Sequence, residues 1–310
     1  MNLSNILQHW DINFARERED FVIAGSPERT ETRLVIEDQS AKLFVLEAVA
    51  GGLLAKKRRI AQILEHLSTP GLPEVFAYRR SRSGKHILPY EGRFWQVVPY
   101  VPGIQLDRPK YVFEAWRGTA AADFLLRLRN AAPALNEPVF SLPDYIEHLM
   151  PAIQKNRPEV LPKVNLIYEH VKKHLFPVYS ALPVCFAHGD LHAINIIWKE
   201  QGIAAVIDWE FCGLKPELYD AANMVTCLGI EDPECLWSGA PVSFMERLRA
   251  SGRYSALSFK HFPALLIGLR FAWLSEWLRK NDDEMLRMEF DYFDVLVALA
   301  AGGSGDGSSL

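Results

Sequence analysis

The sequence predicts an α+β fold in two lobes, a small β-rich lobe followed by a larger helical lobe. Residues 1–100 contain short apolar or β-branched segments bounded by turn residues, with one helical segment among them. From about residue 110, apolar residues recur every three to four positions, which is the period of helices. The segment 101–109 is typical of a linker. We therefore predict lobes at 1–100 and 101–300, and a disordered Gly/Ser-rich tail at 301–310.

The β-rich lobe is predicted from its runs of strand-forming residues. These runs lie at 21–26, 31–38, 41–49, 74–81, 85–90 and 93–101. One main helix is predicted at 53–67, where apolar residues follow the helical period until Ser-Thr-Pro-Gly ends it. Residues 1–20 indicate a short amphipathic helix followed by a charged stretch.

The helical lobe is predicted from segments with the helical period. These segments lie at 110–131, 142–156, 158–180, 217–229, 241–251, 257–279 and 282–301. A compact strand-loop-strand region is predicted at 183–211, between the third and fourth helical segments.

Composition excludes several classes of partner. The net charge of −4 gives no basic footprint for nucleic acid. No apolar run approaches the roughly 18 residues of a membrane helix, and the N-terminus lacks the apolar core of a signal peptide. The cysteines form no CxxC pair and are predicted to be reduced thiols. We therefore expect a cytoplasmic protein, monomer or homodimer, with no nucleic-acid or membrane partner.

Two linked motifs contain the residues best suited to chemistry. His188-Gly189-Asp190 follows the apolar run PVCFA, Asn195 comes shortly after, and Asp208 ends the run AAVID. An Asp on a loop directly after a strand can orient or deprotonate a hydroxyl group. Asn195 and Asp208 offer hard oxygen ligands of the kind that Mg²⁺ prefers, each beside an apolar strand that fixes its position. An isolated HGD would be a chance turn, but both motifs together favour a catalytic site.

The stretch HGDLHAIN followed by VIDWE resembles the HGDxxxxN and IDW pair of aminoglycoside phosphotransferases, choline and ethanolamine kinases and type II homoserine kinases. Those families share a bilobal protein-kinase-like fold. The resemblance implies transfer of the γ-phosphoryl group of ATP or GTP to a hydroxyl of a small molecule. It implies that Asp190 is catalytic, that His188 braces its loop, and that Asn195 and Asp208 bind Mg²⁺. It also implies a structural role for Asp220.

The resemblance places the nucleotide on the β-rich lobe. The loop 24–31, which includes Ser26, takes the position of the loop that covers the phosphates. Val45 and Val98 would sandwich the adenine ring. Prolines flank the hinge and have no N–H, so the backbone donor to adenine would come from Tyr100 or Val101.

The sequence departs from the family on its third strand, where the family has a lysine and this chain has Glu47. Glu47 shares a strand face with Val45, so its carboxylate would meet the phosphates. Lys42 could serve only if the alignment slipped, and it lies on the other face. One cation of the run 56–59, with Lys57 as our candidate, could supply the charge and pair with Glu47. Otherwise that run is a solvated helix face, or the chain binds nucleotide weakly.

The acceptor is predicted only in outline. The C-terminal helices combine aromatic residues, Trp273 and Trp277 among them, with carboxylates such as Glu276 and Glu289. Such a surface could accept an amino-bearing alcohol, although tryptophans four residues apart on a helix also pack into cores. His192 is expected to be structural. Glu210 has either a metal-related role or a loop contact.

Two other functions stay open. A kinase-like pseudoenzyme, acting as a nucleotide sensor or a scaffold, would explain Glu47 but not the presence of the whole Asp190, Asn195 and Asp208 set. A protein kinase is disfavoured because only residues 209–219 lie between Asp208 and Asp220, too few for a long activation segment. The sequence does not distinguish ATP from GTP and does not name the acceptor.

Overall fold

The computed structural model describes residues 2–23, 31–68 and 71–302. Backbone contacts divide the chain into two compact units, each formed from several segments. Unit 1 comprises Met1–Gln105, Asn130–Pro133 and Ile194–Cys212. Unit 2 comprises Leu106–Arg129, Ala134–Ala193 and Gly213–Leu310.

Unit 1 is built on an antiparallel sheet in the order β1-β2-β3-β5-β4. Its strands are β1 (Phe14–Glu17), β2 (Thr32–Asp38), β3 (Leu43–Val49), β4 (Leu88–Tyr90) and β5 (Arg93–Pro99), and its helices include α1 (Leu3–Leu7) and α2 (Leu54–Leu67). One sheet face packs against the N-terminal segment, where Ile6 and Trp10 join Leu46 and Val97 in a buried cluster. Residues of β3 alternate between faces, so Val45 and Glu47 lie on the opposite side, as the sequence predicts.

Unit 1 contains one strand that the sequence does not predict, and two of its predicted strands need correction. Strand β1 is not predicted, because half of its sequence FARE is charged. Arg16 pairs with Glu37 of β2 at 3.0 Å and keeps this edge strand polar. Residues 74–81 form no strand, since Arg79 N–H donates to Val97 O without a continuing ladder. Residues 21–23 are not a strand either, and 24–26 lie outside the described residues.

Unit 2 is mainly helical and contains a two-stranded antiparallel sheet of β6 (Val184–Ala187) and β9 (Gly213–Pro216). Its helices are α3 (Ala115–Ala131), α4 (Leu142–Asn156), α5 (Leu161–His174), α6 (Phe176–Tyr179), α7 (Tyr219–Gly229), α8 (Gly239–Ala250), α9 (Ala256–Lys260), α10 (Phe262–Lys280) and α11 (Asp283–Gly302). No helix in the described part of the chain is long and apolar enough to span a membrane.

Two predicted helices of unit 2 are each divided in two. The segment 158–180 breaks between α5 and α6, and 257–279 breaks between α9 and α10. In each case a proline stands in the first turn of the second helix. The first-turn N–H groups of a helix have no partner within it, so the missing N–H of proline costs nothing there, whereas proline cannot extend the preceding helix. Of the predicted disordered tail, Ala301 and Gly302 complete α11, and 303–310 lie outside the described residues.

The strand-loop-strand region contributes a second hairpin, β7 (Ile196–Lys199) and β8 (Gly202–Val206), which belongs to unit 1. Ile196 pairs with Val206, so the residues just before β7 and just after β8 lie at the same end of the hairpin. This end carries the predicted metal ligands.

Candidate active site

The loop that contains Asp190 begins where β6 ends, and α7 fixes its backbone. Asp220, in the first turn of α7, accepts hydrogen bonds from the backbone N–H groups of His188 and Gly189, each at 2.7 Å. His188 is fully buried, and its Nδ1 accepts from the N–H of Asp190 at 3.2 Å. Gly189 has a φ of 85°, a backbone conformation that favours glycine. The loop is therefore held at consecutive backbone positions.

The Asp220 carboxyl group lies in a low-dielectric environment. Its residue is 3% exposed. Burial raises the pKa of Asp220 to about 6, and the two backbone N–H donors and the charge of Lys215 act in the opposite direction. This geometry agrees with the structural role that the resemblance implies for Asp220.

Asp220→Ala is expected to lower the free energy of unfolding by about 2–6 kcal/mol, because each of the two buried amides left without an acceptor costs about 1–3 kcal/mol. Urea unfolding followed by circular dichroism measures the change. Asp291→Ala is the matched control, since Asp291 is exposed on α11 and should change stability by about 0.5 kcal/mol at most. A loss below about 1 kcal/mol in Asp220→Ala would mean that the loop does not depend on this carboxylate.

The side chain of Asp190 is only partly covered. It is 19% exposed, and its Oδ1 lies 3.9 Å from His192 Nε2 and 3.5 Å from Asn223 Nδ2. His192 is buried, and its ring meets that of Trp273 edge-on at 5.7 Å between centroids. A carboxylate with polar neighbours and an open side can accept a proton from a bound hydroxyl group.

Asn195 and Asp208 lie at the same end of the β7–β8 hairpin. Ile207 N–H donates to Asn195 O at 3.0 Å, which ties the two segments together. Asp208 adopts the left-handed conformation, with a φ of 62°, which is uncommon for a residue other than glycine and recurs at functional sites. A carboxamide and a carboxylate suit Mg²⁺, which keeps several waters and needs one or two carboxylates. Among the described residues no group of three His, Cys, Asp or Glu forms a protein-only metal cage.

Lys57 forms a buried ion pair with Glu210, two residues after Asp208. Lys57 is 4% exposed and Glu210 is 6% exposed, and Lys56 Nζ lies 3.4 Å from Glu210 Oε2. The prediction that the run 56–59 is a solvated helix face is therefore wrong for Lys57. Arg58, the next residue, is exposed. For Glu210, the structure favours the contact that holds Lys57.

Glu47 does not pair with the run 56–59, so the expected reversed ion pair is wrong. Its Oε1 accepts from Arg33 Nε at 3.0 Å, and its Oε2 accepts from Gln96 Nε2 at 2.8 Å. Arg33 and Gln96 stand opposite Glu47 on the two neighbouring strands, and residues directly opposite share a face. Arg33 on β2 thus neutralises the charge of Glu47, and Gln96 on β5 adds a neutral hydrogen bond.

Tyr78 is a residue of this region that sequence reasoning missed. Burial raises the pKa of Tyr78 well above its ordinary value, and the charges of Glu47, Glu210 and Asp208 raise it further, against a hydrogen bond with Gln96. The charges of three carboxylates therefore act on one phenol. Nothing in the sequence signalled this, because Tyr78 falls in a segment predicted as a strand.

The predicted adenine contacts are partly assembled in unit 1. Val45 and Val98 stand directly opposite each other on β3 and β5, so they share a sheet face. The backbone N–H of Tyr100 already donates to Leu43 O at 3.0 Å. The prediction that this N–H donates to adenine is therefore wrong, and Val101 remains as the predicted donor. Ser26 lies outside the described residues.

Two of the carboxylates that the sequence analysis considers for acceptor binding, Glu276 and Glu289, already form ion pairs in unit 2. Glu289 is buried against Arg270, and Glu276 pairs with Arg279 at 2.6 Å and with Lys280 at 3.0 Å. Hydrogen bonds from Arg279 lower the pKa of Glu276 to about 2, and those from Lys280 add to this. Trp273 and Trp277 stack on each other at 5.8 Å and are half-buried. Arg270 lies 5.6 Å from the centre of the Trp273 ring, and Lys280 lies 5.8 Å from that of Trp277, so each ring already has a cationic neighbour.

The family of the chain follows from comparison. Residues 25–253 match a protein family described as "Phosphotransferase enzyme family", which is well over half of the chain. The chain therefore belongs to this phosphotransferase family, and the prediction of a small-molecule kinase is confirmed. No curated protein matches the chain.

Solved structures of low sequence identity share the fold. A microcompartment-associated aminopropanol kinase is similar at 16% identity with a TM-score of 0.68, over 97% of this chain and 96% of that chain. The amicoumacin kinase hAmiN, in complex with AMP-PNP, Ca²⁺ and Ami, is similar at 13% identity and 0.66, over 95% and 94%. An aminoglycoside phosphotransferase from Alicyclobacillus acidocaldarius is similar at 14% identity and 0.61, over 97% and 94%. The predicted α+β, protein-kinase-like fold is confirmed.

Proposed function

We propose that this chain transfers the γ-phosphoryl group of ATP or GTP to a hydroxyl group of a small molecule, with Asp190 as the base. The observation that carries the proposal is the loop of Asp190, which Asp220 and His188 fix at consecutive backbone positions while its carboxylate remains partly open. Phosphoryl transfer asks the protein mainly for such positioning. Asp190 accepts the proton of the attacking hydroxyl group.

The nucleotide is assigned to residues of unit 1. Asn195 and Asp208 would hold Mg²⁺, which when bound neutralises charge on the phosphates. Lys57 supplies the cation that the third strand lacks. Its side chain is held by Glu210, which is two residues after Asp208 in the sequence. Val45 and Val98 would contact the adenine, and the N–H of Val101 would donate to it. Ser26 stays a predicted phosphate contact. A nucleotide analogue is present in the similar amicoumacin kinase complex, which supports a nucleotide as the phosphoryl donor.

The acceptor is proposed to be an amino-bearing alcohol. The likeness to an aminopropanol kinase supports this class of substrate. The carboxylates of Glu276 and Glu289 are already paired with Arg or Lys. The ammonium group would therefore meet the rings of Trp273 and Trp277, where it would take the place of the cationic side chain that already lies near each ring. A cation over a tryptophan face gains about 0.5–2 kcal/mol.

A nucleotide-sensing pseudoenzyme is the second candidate, and Glu47 in place of the third-strand lysine is the observation that favours it. In that case Mg·ATP would bind without transfer to any hydroxyl group, or would not bind. The trio of Asp190, Asn195 and Asp208 would then have no chemical task.

Mg·ATP at about 100 times its Kd is expected to stabilise the folded chain by roughly 2.7 kcal/mol, which raises the melting temperature by about 4 °C for a chain of 310 residues. The shift should require Mg²⁺ and disappear in Asp208→Ala. Glu200→Ala is the control, because Glu200 is exposed at the other end of the same hairpin. If neither Mg·ATP nor Mg·GTP shifts the wild type, the proposed nucleotide site is wrong.

A further inference from the structure

Asn223 connects the two groups of unit 2 that matter for the acceptor. Its Nδ2 lies 3.5 Å from Asp190 Oδ1 and donates to Leu191 O at 3.2 Å. Its Oδ1 accepts from the indole Nε1 of Trp273 at 3.4 Å. Asn223 is 5% exposed, so these contacts are made with little access to water.

The orientation of this carboxamide is determined by its neighbours. A backbone carbonyl and a carboxylate can only accept, so they must face the NH₂ group, whereas an indole N–H can only donate and must face the oxygen. Cys227 Sγ also lies 3.8 Å from Asn223 Oδ1. Both donors and both acceptor positions of the side chain are engaged, which is the most that a carboxamide can make. No rotation of the amide would keep these contacts.

Helix α7 places this residue. Asp220 and Asn223 are three positions apart, so they lie on neighbouring positions of one helix face. Asp220 binds the backbone of the loop at His188 and Gly189, and Asn223 binds the next two residues, Asp190 by its side chain and Leu191 by its carbonyl. One turn of helix thus fixes both the course of the loop and the direction of the carboxylate.

The partner of Asn223 on α10 is the half-buried tryptophan pair. Trp273 stacks on Trp277, and Trp277 Nε1 donates to Glu289 Oε2 at 3.2 Å. Glu289 is in turn held by the buried Arg270. The tryptophan pair is therefore anchored at both ends, by Asn223 and by the Arg270–Glu289 ion pair.

We propose that Asn223 is a positioning residue that holds Asp190 and Trp273 in one arrangement, so that the base and the acceptor-binding tryptophan pair are coupled. This inference rests on the proposed function, because it takes Asp190 as the base. A hydroxyl group bound against Trp273 would then be presented to a carboxylate whose direction the same side chain has set. Misplacement of a reacting group by about 1 Å can cost roughly 100-fold in rate.

The indole N–H resonance of Trp273 in a ¹H–¹⁵N spectrum tests the coupling without any ligand. It is assigned by its absence in Trp273→Phe. In the wild-type background, Asp190→Asn is expected to shift this resonance, because the change reaches Trp273 through Asn223. In the Asn223→Ala background the same substitution should shift it much less, because only His192 then contacts both Asp190 and Trp273. The resonance of Trp237, which is 59% exposed, serves as the internal control.

Kinetics with Mg·ATP and aminopropanol give the second readout. Asn223→Ala is expected to lower kcat about 10- to 100-fold and to raise the KM for aminopropanol, with the KM for Mg·ATP unchanged. Asn165→Ala, a change of an exposed asparagine on α5, should alter none of these three constants. An Asp190→Asn shift of the Trp273 resonance that is as large without Asn223 as with it overturns the inference, as does an Asn223→Ala enzyme with wild-type constants. A fully active Asp190→Asn enzyme would instead overturn the proposed function, whatever the spectra show.

Discussion

Asp190→Asn is expected to lower kcat by about 100- to 10,000-fold, the range that a positioned general base contributes. The substitution keeps the shape of the side chain and removes only its ability to take a proton. Because Asp190 belongs to the loop that Asp220 braces from α7, the backbone should keep its course. The dissociation constant of Mg·ATP should stay within about two-fold of the wild-type value, since the nucleotide is assigned to other residues. ADP release coupled to NADH oxidation measures kcat, and calorimetry measures binding.

The control for this variant is Asp291→Asn, a change of an exposed carboxylate in the same unit. It should leave both constants unchanged. If Asp190→Asn retains more than about a tenth of the wild-type kcat, another group takes the proton. The role assigned to Asp190 would then have to be withdrawn.

Lys57→Met is expected to lower the free energy of unfolding by about 3–5 kcal/mol, because it leaves Glu210 buried without its main cation. The double variant Lys57→Met/Glu210→Leu should recover most of that loss, since apolar residues of similar volume often replace a buried ion pair at little cost. Affinity for Mg·ATP should nevertheless stay low in the double variant, because the cation assigned to the phosphates is gone. Chemical unfolding and calorimetry on the same preparations separate the two effects.

Arg58→Met is the matched control for the lysine, since Arg58 is the next residue on α2 and is exposed. Its stability should change by about 0.5 kcal/mol at most. Wild-type affinity for Mg·ATP in the double variant would show that Lys57 has only a structural role. Lys57 would then not be the cation that replaces the third-strand lysine.

Periodicity predicts the regular parts of the fold well. Strands β2, β3 and β5 and helix α2 lie where the apolar patterns place them. Strand β1 escapes the same method because edge strands are often charged, and its pairing depends on contacts such as Arg16 with Glu37, which lie far apart in sequence. Residues 74–81 have strand-forming composition, but composition does not reveal whether a partner strand is available.

The candidate site could be predicted only where a motif marks it. HGD, Asn195 and IDW are recognisable in the sequence, whereas Asn223 belongs to no recognised motif and acquires its contacts from a loop and a helix distant in the chain. Lys57 had a usable signal that the charge run obscured. It stands three residues before Ile60 and seven before Leu64, both buried, so it lies on the buried face of α2.

The most direct test of the central claim is transfer of labelled phosphate from [γ-³²P]ATP to aminopropanol and a panel of amino sugars by the wild-type protein with Mg²⁺. The account predicts a labelled phosphoester with at least one of these alcohols, formed only with Mg²⁺ and lost in Asp190→Asn. A chain that binds Mg·ATP, as its melting temperature would report, yet labels none of these alcohols would contradict the account and favour the nucleotide-sensing pseudoenzyme.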